Sequence, residues 1–366
     1  MTIKPTSKIN AVLALVVAVI LVPICARQCM AAPREFRGTW TSPDDETLPA
    51  DFQVQGEYVG QTAAGQKLGC QVIALGGGAF QAVLYPGGLP GDGWDGERRS
   101  VMDGRLEEGK VAFRPAEGRR GYLARSSDEF SASDPFPPAG NEPASATLRD
   151  GRLQGTLGDA ATFTLSKTVR KSPTLGQAPP AGGRLLFDGS GIDAFQGGRL
   201  DKTTKLLNTD GRDVRTRDKF TNYSMHIEFL LPFRPDARGQ GRGNSGFYQV
   251  DHYEVQILDS FGLEGKNNEC GGVYSVAGPA VNMCYPPLAW QTYDVDFTAA
   301  QRDDSGKKIK NARMTVRHNG VVIHDDLELS GPTGGSRNEP EGTPGPIKLQ
   351  GHGNPLQFRN IWIVEK

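Results

Sequence analysis

Several short segments of the chain place acids, amides and imidazoles at every second position, the spacing at which side chains of a β-strand share one face. In His252-Tyr253-Glu254-Val255-Gln256-Ile257-Leu258 the apolar set Tyr253, Val255 and Ile257 opposes His252, Glu254 and Gln256. In Met225-His226-Ile227-Glu228-Phe229, His226 and Glu228 oppose Met225, Ile227 and Phe229, and in Ile347-Lys348-Leu349-Gln350-Gly351-His352 the residues Lys348, Gln350 and His352 share a side. Trp290, Thr292, Asp294 and Asp296 likewise oppose Gln291, Tyr293, Val295 and Phe297. Carboxylates and imidazoles move protons, amides grip hydroxyls, and an indole stacks on a pyranose face. A polar sheet face is otherwise simply solvated. If these strands are neighbours, their polar faces line one concave surface, and a sugar-sized cleft is expected there.

Other segments offer less. Gly241, Gly243 and Gly246 in Arg238-Gly239-Gln240-Gly241-Arg242-Gly243-Asn244-Ser245-Gly246 match a dinucleotide fingerprint by spacing, but a strand rather than a helix follows, so that function is excluded. The loop reads either as a mobile hairpin or as backbone approaching a ligand, with Arg238 or Arg242 and Asn244 as donors. Asp259-Ser260 ends a strand and suits a sugar hydroxyl, a cation or an ordinary turn. His318-Asn319-Gly320 reads as a hairpin turn, His324-Asp325-Asp326 as a weak metal candidate, and Trp94 as a packing aromatic in a Gly-rich loop or a sugar platform. No HExxH, Walker lysine loop or nucleophile elbow occurs in the sequence.

The elements that must position these residues are strands. Of 366 residues 47 are Gly and 25 Pro, which disfavours helices, while 37% hydrophobic content supports a buried core. The fold class is therefore all-β: a small β domain over residues 33–170, a Pro/Gly linker over 171–183, and a two-sheet β-sandwich over 184–366. A net charge of −1 gives no field for a polyanion, so nucleic acid is not an expected partner. Residues 1–32 read as a cleaved signal peptide, with Lys4 and Lys8 before the apolar run Ala11 to Val22 and Ala31-Ala32 at its end. The run is shorter than the roughly 18–20 residues of a membrane span. A periplasmic or secreted location is expected, with no transmembrane span in the mature chain. Cleavage leaves Cys70, Cys270 and Cys284; the last two either form a local disulfide or remain thiols.

From Leu185 to Lys366 the sequence resembles the 3-keto-disaccharide hydrolase domain family. The resemblance rests on Leu186-Phe187-Asp188-Gly189, Gly243-Asn244-Ser245-Gly246-Phe247-Tyr248, Tyr253 to Ser260, Trp290-Gln291-Thr292-Tyr293-Asp294, His352-Gly353-Asn354 and Phe358-Arg359-Asn360-Ile361-Trp362, in that order. Phe195 stands where family members often carry Trp. The resemblance implies a concanavalin A-like jelly roll and cleavage of glycosides oxidised at carbon 3. There a base removes the acidified hydrogen of carbon 2, the enolate expels the carbon 1 substituent, and water adds. Glu254 or His352 is the expected base, and Arg242, His252 or a bound divalent cation the expected enolate stabiliser. Asn244, Gln256, Asp259, Trp290, Gln350 and Glu228 complete the expected binding set for an oligosaccharide or glycoside. Two alternatives remain: a conventional glycosidase pairing Glu254 with Glu228 or Asp259, and a lectin-like module without turnover.

Overall fold

The computed structural model describes residues 1–2, 38–159 and 161–366. The leader-like segment, with Cys25 and Cys29, lies outside the described residues apart from its first two positions. Among the described residues no helix is long and apolar enough to cross a membrane.

A one-turn helix, α1 (Ala50–Val54), leads into ten strands: β1 (Gly56–Thr62), β2 (Lys67–Gly76), β3 (Ala79–Pro86), β4 (Ser100–Glu107), β5 (Lys110–Pro115), β6 (Gly121–Tyr122), β7 (Phe130–Ser131), β8 (Ala144–Arg149), β9 (Arg152–Leu157) and β10 (Ala161–Thr168). All but β6 and β7 close into an antiparallel barrel of order β1-β10-β9-β8-β5-β4-β3-β2. Tyr58, Val72, Phe80, Leu84, Met102, Phe113 and Leu165 fill its interior. Ile73, Leu75, Val83 and Tyr85 point outward from β2 and β3 and join the core of the following sheets. These two strands are buried on both faces, which is why they read as nearly unbroken apolar runs.

Fifteen further strands follow: β11 (Arg184–Phe187), β12 (Phe195–Gln196), β13 (Arg199–Leu200), β14 (Leu207–Asn208), β15 (Val214–Thr216), β16 (Tyr223–Leu230), β17 (Ser245–Gln249), β18 (Tyr253–Ile257), β19 (Trp290–Thr298), β20 (Gln301–Arg302), β21 (Lys308–Lys310), β22 (Ala312–His318), β23 (Val321–Leu329), β24 (Lys348–Leu349) and β25 (Gln357–Glu365). They build a sandwich. One sheet runs β13-β14-β25-β16-β19-β22-β23 with β11 added beside β25; the other runs β12-β15-β24-β17-β18. Between them lie Met225, Ile227, Phe229, Phe247, Val255, Ile257, Tyr293, Val295 and Phe297, the apolar half of each alternation. Asn319 and Gly320, at φ 50° and 82°, form the tight turn joining β22 to β23. Cys70, Cys270 and Cys284 are buried free thiols.

The alternating faces are as the sequence predicts, but they do not meet on one surface. β18 and β24 belong to the smaller sheet, whereas β16 and β19 pair in the larger one, Glu228 opposite Thr292 and His226 opposite Asp294. The outer face of β16, β19 and β25 in the larger sheet is covered by residues of the Pro/Gly segment 171–183. Ser172 Oγ lies 2.6 Å from Thr292 Oγ1, and Thr174 Oγ1 donates to Asp294 Oδ2 at 2.8 Å. The Gly176 amide donates to Glu228 Oε1 at 2.5 Å, and the Gln177 carbonyl accepts from Trp362 Nε1 at 2.9 Å. This strap leaves the polar face of the smaller sheet for a ligand.

Candidate active-site pocket

On that face a pocket of about 230 Å³ is lined by Gln240, Asn244, Tyr248, Glu254, Gln256, Tyr274, Gly334, Gly335, Gln350 and His352. Its floor is the β17–β18 hairpin. The register sets Tyr248 opposite Glu254 and Gly246 opposite Gln256, so all four share the face turned away from the core. Gln350 follows β24 and is held against the floor: its amide donates to the Gly246 carbonyl at 2.8 Å and its carbonyl accepts from Ser245 Oγ at 2.7 Å. His352 is exposed at the rim. Gln240 and Asn244 enter from the loop before β17, and Tyr274 from the loop after β18.

Glu254 is the only carboxylate in this lining, and it is buried. Burial pushes its pKa up to about 7, against smaller downward pulls from the Tyr248 hydroxyl and the Lys348 ammonium. Tyr248 Oη lies 2.8 Å from Glu254 Oε2 and 2.7 Å from the Gly334 carbonyl. The phenol has one hydrogen and two acceptors within reach. With Glu254 ionised it donates to the carboxylate; with Glu254 protonated it can accept the acid's hydrogen and donate to Gly334. Lys348 Nζ stands 3.6 Å from the centre of the Tyr248 ring and is itself paired with Asp251 at 2.6 Å, fixing the phenol from behind. With its nitrogen turned toward the carboxylate, the Gln256 amide donates to Glu254 Oε1 at 2.8 Å and to the Ser245 carbonyl at 3.1 Å. The arrangement supplies one proton-transfer group of near-neutral pKa, surrounded by the side-chain amides of Gln240, Asn244, Gln256 and Gln350.

Room for this carboxylate depends on Gly246, since a Cβ there would overlap Glu254 Oε1 and crowd the Tyr248 ring. The side chain can swing away, so Gly246→Ala is expected to fold with a melting temperature within a few degrees of wild type. Its turnover should fall by at least about tenfold, as the carboxylate leaves the position Tyr248 supports. Steady-state rates beside a thermal melt check both halves of that expectation.

Five expected site residues lie elsewhere. Arg242 and Asp259 form a buried ion pair at 2.5 Å, and Arg242 reaches the Ala74 carbonyl at 2.9 Å, so both are committed to joining sandwich and barrel. Glu228 lies under the strap in the other sheet. Burial would raise its pKa, but the His226 imidazole 3.6 Å away and hydrogen bonds from Asn360, the Gly176 amide and Arg359 hold it at about 2. Trp290 packs against the barrel cluster with the Arg359 guanidinium 4.0 Å from its ring centre. His252 is buried at the turn before β18, where Val250 and Asp251 take positive φ and break the alternation. Neither of its ring nitrogens has a hydrogen-bond partner, and burial lowers its pKa. Glu254, Gln256, Asn244, Gln350 and His352 are brought together.

Tyr248, Gln240, Tyr274, Gly334 and Gly335 line the pocket without having been assigned a role from the sequence. Pairing the two strands across the turn at 250–252 would have put Tyr248 beside Glu254. The other four sit on loops, where no periodicity signals facing. Trp94 packs edge-on to Tyr85 at 5.1 Å, and His324 Nε2 lies 2.7 Å from the Gly271 carbonyl, so both have structural partners. Among the described residues no group of three or more His, Cys, Asp or Glu side chains is placed to hold a metal ion.

The sequence profile described as the 3-keto-alpha-glucoside-1,2-lyase-like domain matches residues 182–364. Two solved structures from Parabacteroides distasonis, each described as a candidate glycosyl hydrolase, are also similar. One is 29% identical over 51% of this chain and 85% of its own, with a TM-score of 0.45. The other is 19% identical over 50% and 94%, with a TM-score of 0.37. Among curated proteins no relative matches.

Proposed function

Since the chain belongs through residues 182–364 to the 3-keto-alpha-glucoside-1,2-lyase-like domain family, and is thereby a carbohydrate-active hydrolase, we propose that its pocket cleaves glycosides whose sugar carries a ketone at carbon 3. Glu254 takes the hydrogen of carbon 2. The freed electron pair forms the enolate of the carbon 3 ketone and then expels the carbon 1 substituent, which leaves with a proton returned from Glu254. Water then adds across the carbon 1–carbon 2 double bond, oxygen to carbon 1 and hydrogen to carbon 2, so the net reaction is hydrolysis. The side-chain amides of Gln350 and Gln240, each with one N–H spent within the protein, and His352 at the rim are the groups available to the enolate oxygen.

One observation carries this reading: the pocket presents a single carboxylate, with its pKa raised to about 7. A conventional glycosidase needs two, and both expected partners of Glu254 are tied up elsewhere, Glu228 under the strap and Asp259 with Arg242. At about 230 Å³ the pocket is smaller than the roughly 300–1,000 Å³ of sites for drug-sized ligands, which suits one sugar ring with the leaving group outside. The leader pattern of residues 1–32 supports a substrate met outside the cytoplasm.

Incubating the purified protein with a 3-keto-glucoside and with its unoxidised parent tests the reading. Cleavage of the keto-sugar alone is expected; cleavage of the parent alone restores the conventional glycosidase, and binding without turnover the lectin. A base of pKa about 7 also predicts that kcat/KM climbs through about pH 7 to a plateau. Because the Tyr248 hydrogen bond favours the ionised carboxylate, Tyr248→Phe should move that rise to higher pH, by about one unit. A rise that stays put in the variant removes Glu254 as the titrating group.

A further inference from the structure

The part of the pocket wall that carries Gln240 and Asn244 belongs to a loop whose arginines reach the barrel, and a second loop backs it through the Asn268 carbonyl. The loop of residues 234–244 carries Gln240 and Asn244 toward the pocket, while its arginines turn away. Arg238 donates from Nη2 to the Leu75 carbonyl at 2.7 Å, and Arg242 from Nη1 to the Ala74 carbonyl at 2.9 Å. Both carbonyls sit where the β2–β3 register shifts between Ala74 and Gly76. Gln55, between α1 and β1, ties the same place: its Oε1 accepts from the Ala74 amide at 3.1 Å and from Arg242 Nη2 at 3.3 Å.

The second loop, residues 261–272, is held by the barrel's inserted segment around β6 and β7. The Tyr122 hydroxyl bonds Glu269 Oε1, whose other oxygen accepts the Gly265 and Lys266 amides at 2.7 and 3.0 Å. Lys266 Nζ lies 4.0 Å from the Tyr122 ring centre and 2.5 Å from Asp134. The two loops then meet at the pocket: Gln240 Nε2 donates to the Asn268 carbonyl at 2.8 Å, and Asn244 Nδ2 donates to Gln240 Oε1 at 2.8 Å.

We propose that the barrel is a positioning element of this pocket, with Arg238, Arg242 and Tyr122 fixing from outside the wall that presents Gln240 and Asn244 to the sugar. The part of this proposal that concerns sugar affinity rests on the function proposed above; the part that concerns the loops does not. None of the three anchoring side chains lines the pocket, so they act on substrate only through the amides they hold. In the floor hairpin β17 pairs with β24 and β18 inside the sandwich, while the free edge of β18 is bonded to the second loop, the Gln256 amide donating to the Gly272 carbonyl at 2.8 Å; the Glu254 carboxylate itself is held by Tyr248, which the anchors do not touch. Loss of an anchor should therefore weaken binding and spare the chemical step.

The test uses the full chain with Tyr122→Phe, which removes only a hydroxyl, and Arg238→Met, which keeps an apolar stem, with Arg238→Lys as the conservative control. Amide hydrogen exchange is followed across 234–244, 261–272 and the hairpin 245–257, and steady-state kinetics are measured with a 3-keto-glucoside. Expected are exchange at least about tenfold faster in the loop each anchor holds, unchanged exchange in β17, whose partners are β18 and β24, KM raised about five- to twentyfold, and kcat within twofold of wild type. Arg238→Lys should recover part of both effects. Unchanged loop exchange overturns the proposal, and so does faster exchange with unchanged KM, or a fall confined to kcat. Exchange needs no substrate. If the wild type neither binds nor cleaves the keto-sugar, the proposed reaction fails while loop exchange still decides whether the barrel holds the wall.

Discussion

Glu254→Gln is expected to lower kcat on a 3-keto-glucoside by about 10²–10⁴-fold, the range contributed by a positioned general base, while KM changes by less than about threefold. The amide is nearly the same size as the acid, can still accept from Tyr248 and can still face Gln256, so the pocket keeps its shape and loses only the group that takes a proton. The same substitution should make the protein more stable at neutral pH. With its pKa raised from 4.5 to about 7, Glu254 holds its proton more tightly in the folded chain than in the unfolded one. Its contribution to stability is therefore present below about pH 4.5, is lost as pH rises through about 7, and is unfavourable above that. A neutral amide escapes this loss. Paired kinetics and thermal melts at pH 8 read both effects. Full activity in the variant would remove Glu254 from the reaction, and a lowered melting temperature would mean that the acid is held in place for packing instead.

The second large effect is expected at Arg242. Its guanidinium and the Asp259 carboxylate are 5% and 2% exposed and pair at 2.5 Å. Removing one partner leaves the other buried without its counter-charge, which costs about 3–5 kcal/mol. Arg242→Met also strips a donor from the Ala74 carbonyl and from Gln55, at the seam between barrel and sandwich. For Asp259, burial already raises the carboxyl pKa against the pull of Arg242, so without the arginine it is expected to take up a proton. Denaturant unfolding should show the full loss in either single variant, Arg242→Met or Asp259→Leu. The double variant should recover a good part of it, because two apolar side chains of similar volume need no counter-charge. Additive losses in the double variant would mean that the pair is not a unit.

How much of this was legible in advance divides along local and long-range lines. Period-two alternation read the inner and outer faces of β18 and β19 correctly, since facing within a strand is a property of the strand alone. It could not say that β16 and β19 would pair in one sheet while β18 and β24 flanked β17 in the other, because partnership between strands distant in sequence leaves no mark on either strand. Glu228 and Trp290 were misplaced for that reason. Residues 171–183 read as a linker from their prolines and glycines, yet Thr174, Gly176 and Gln177 find partners on the outer sheet through a hydroxyl, an amide and a carbonyl that any linker also carries. His252 failed for a local cause, the positive φ of Val250 and Asp251 just before it. Arg242 was assigned a ligand because a cation in a Gly-rich loop suggests one; its buried acid lay seventeen residues on, visible only in three dimensions.

The strap also gives the sandwich a front and a back. Both sheets turn a polar face outward, but Ser172, Thr174, Gly176 and Gln177 lie across β16, β19 and β25 in the middle of one of them, while the pocket with Glu254 lies on the other. A contact made on the strapped side would therefore leave the pocket on the opposite side uncovered.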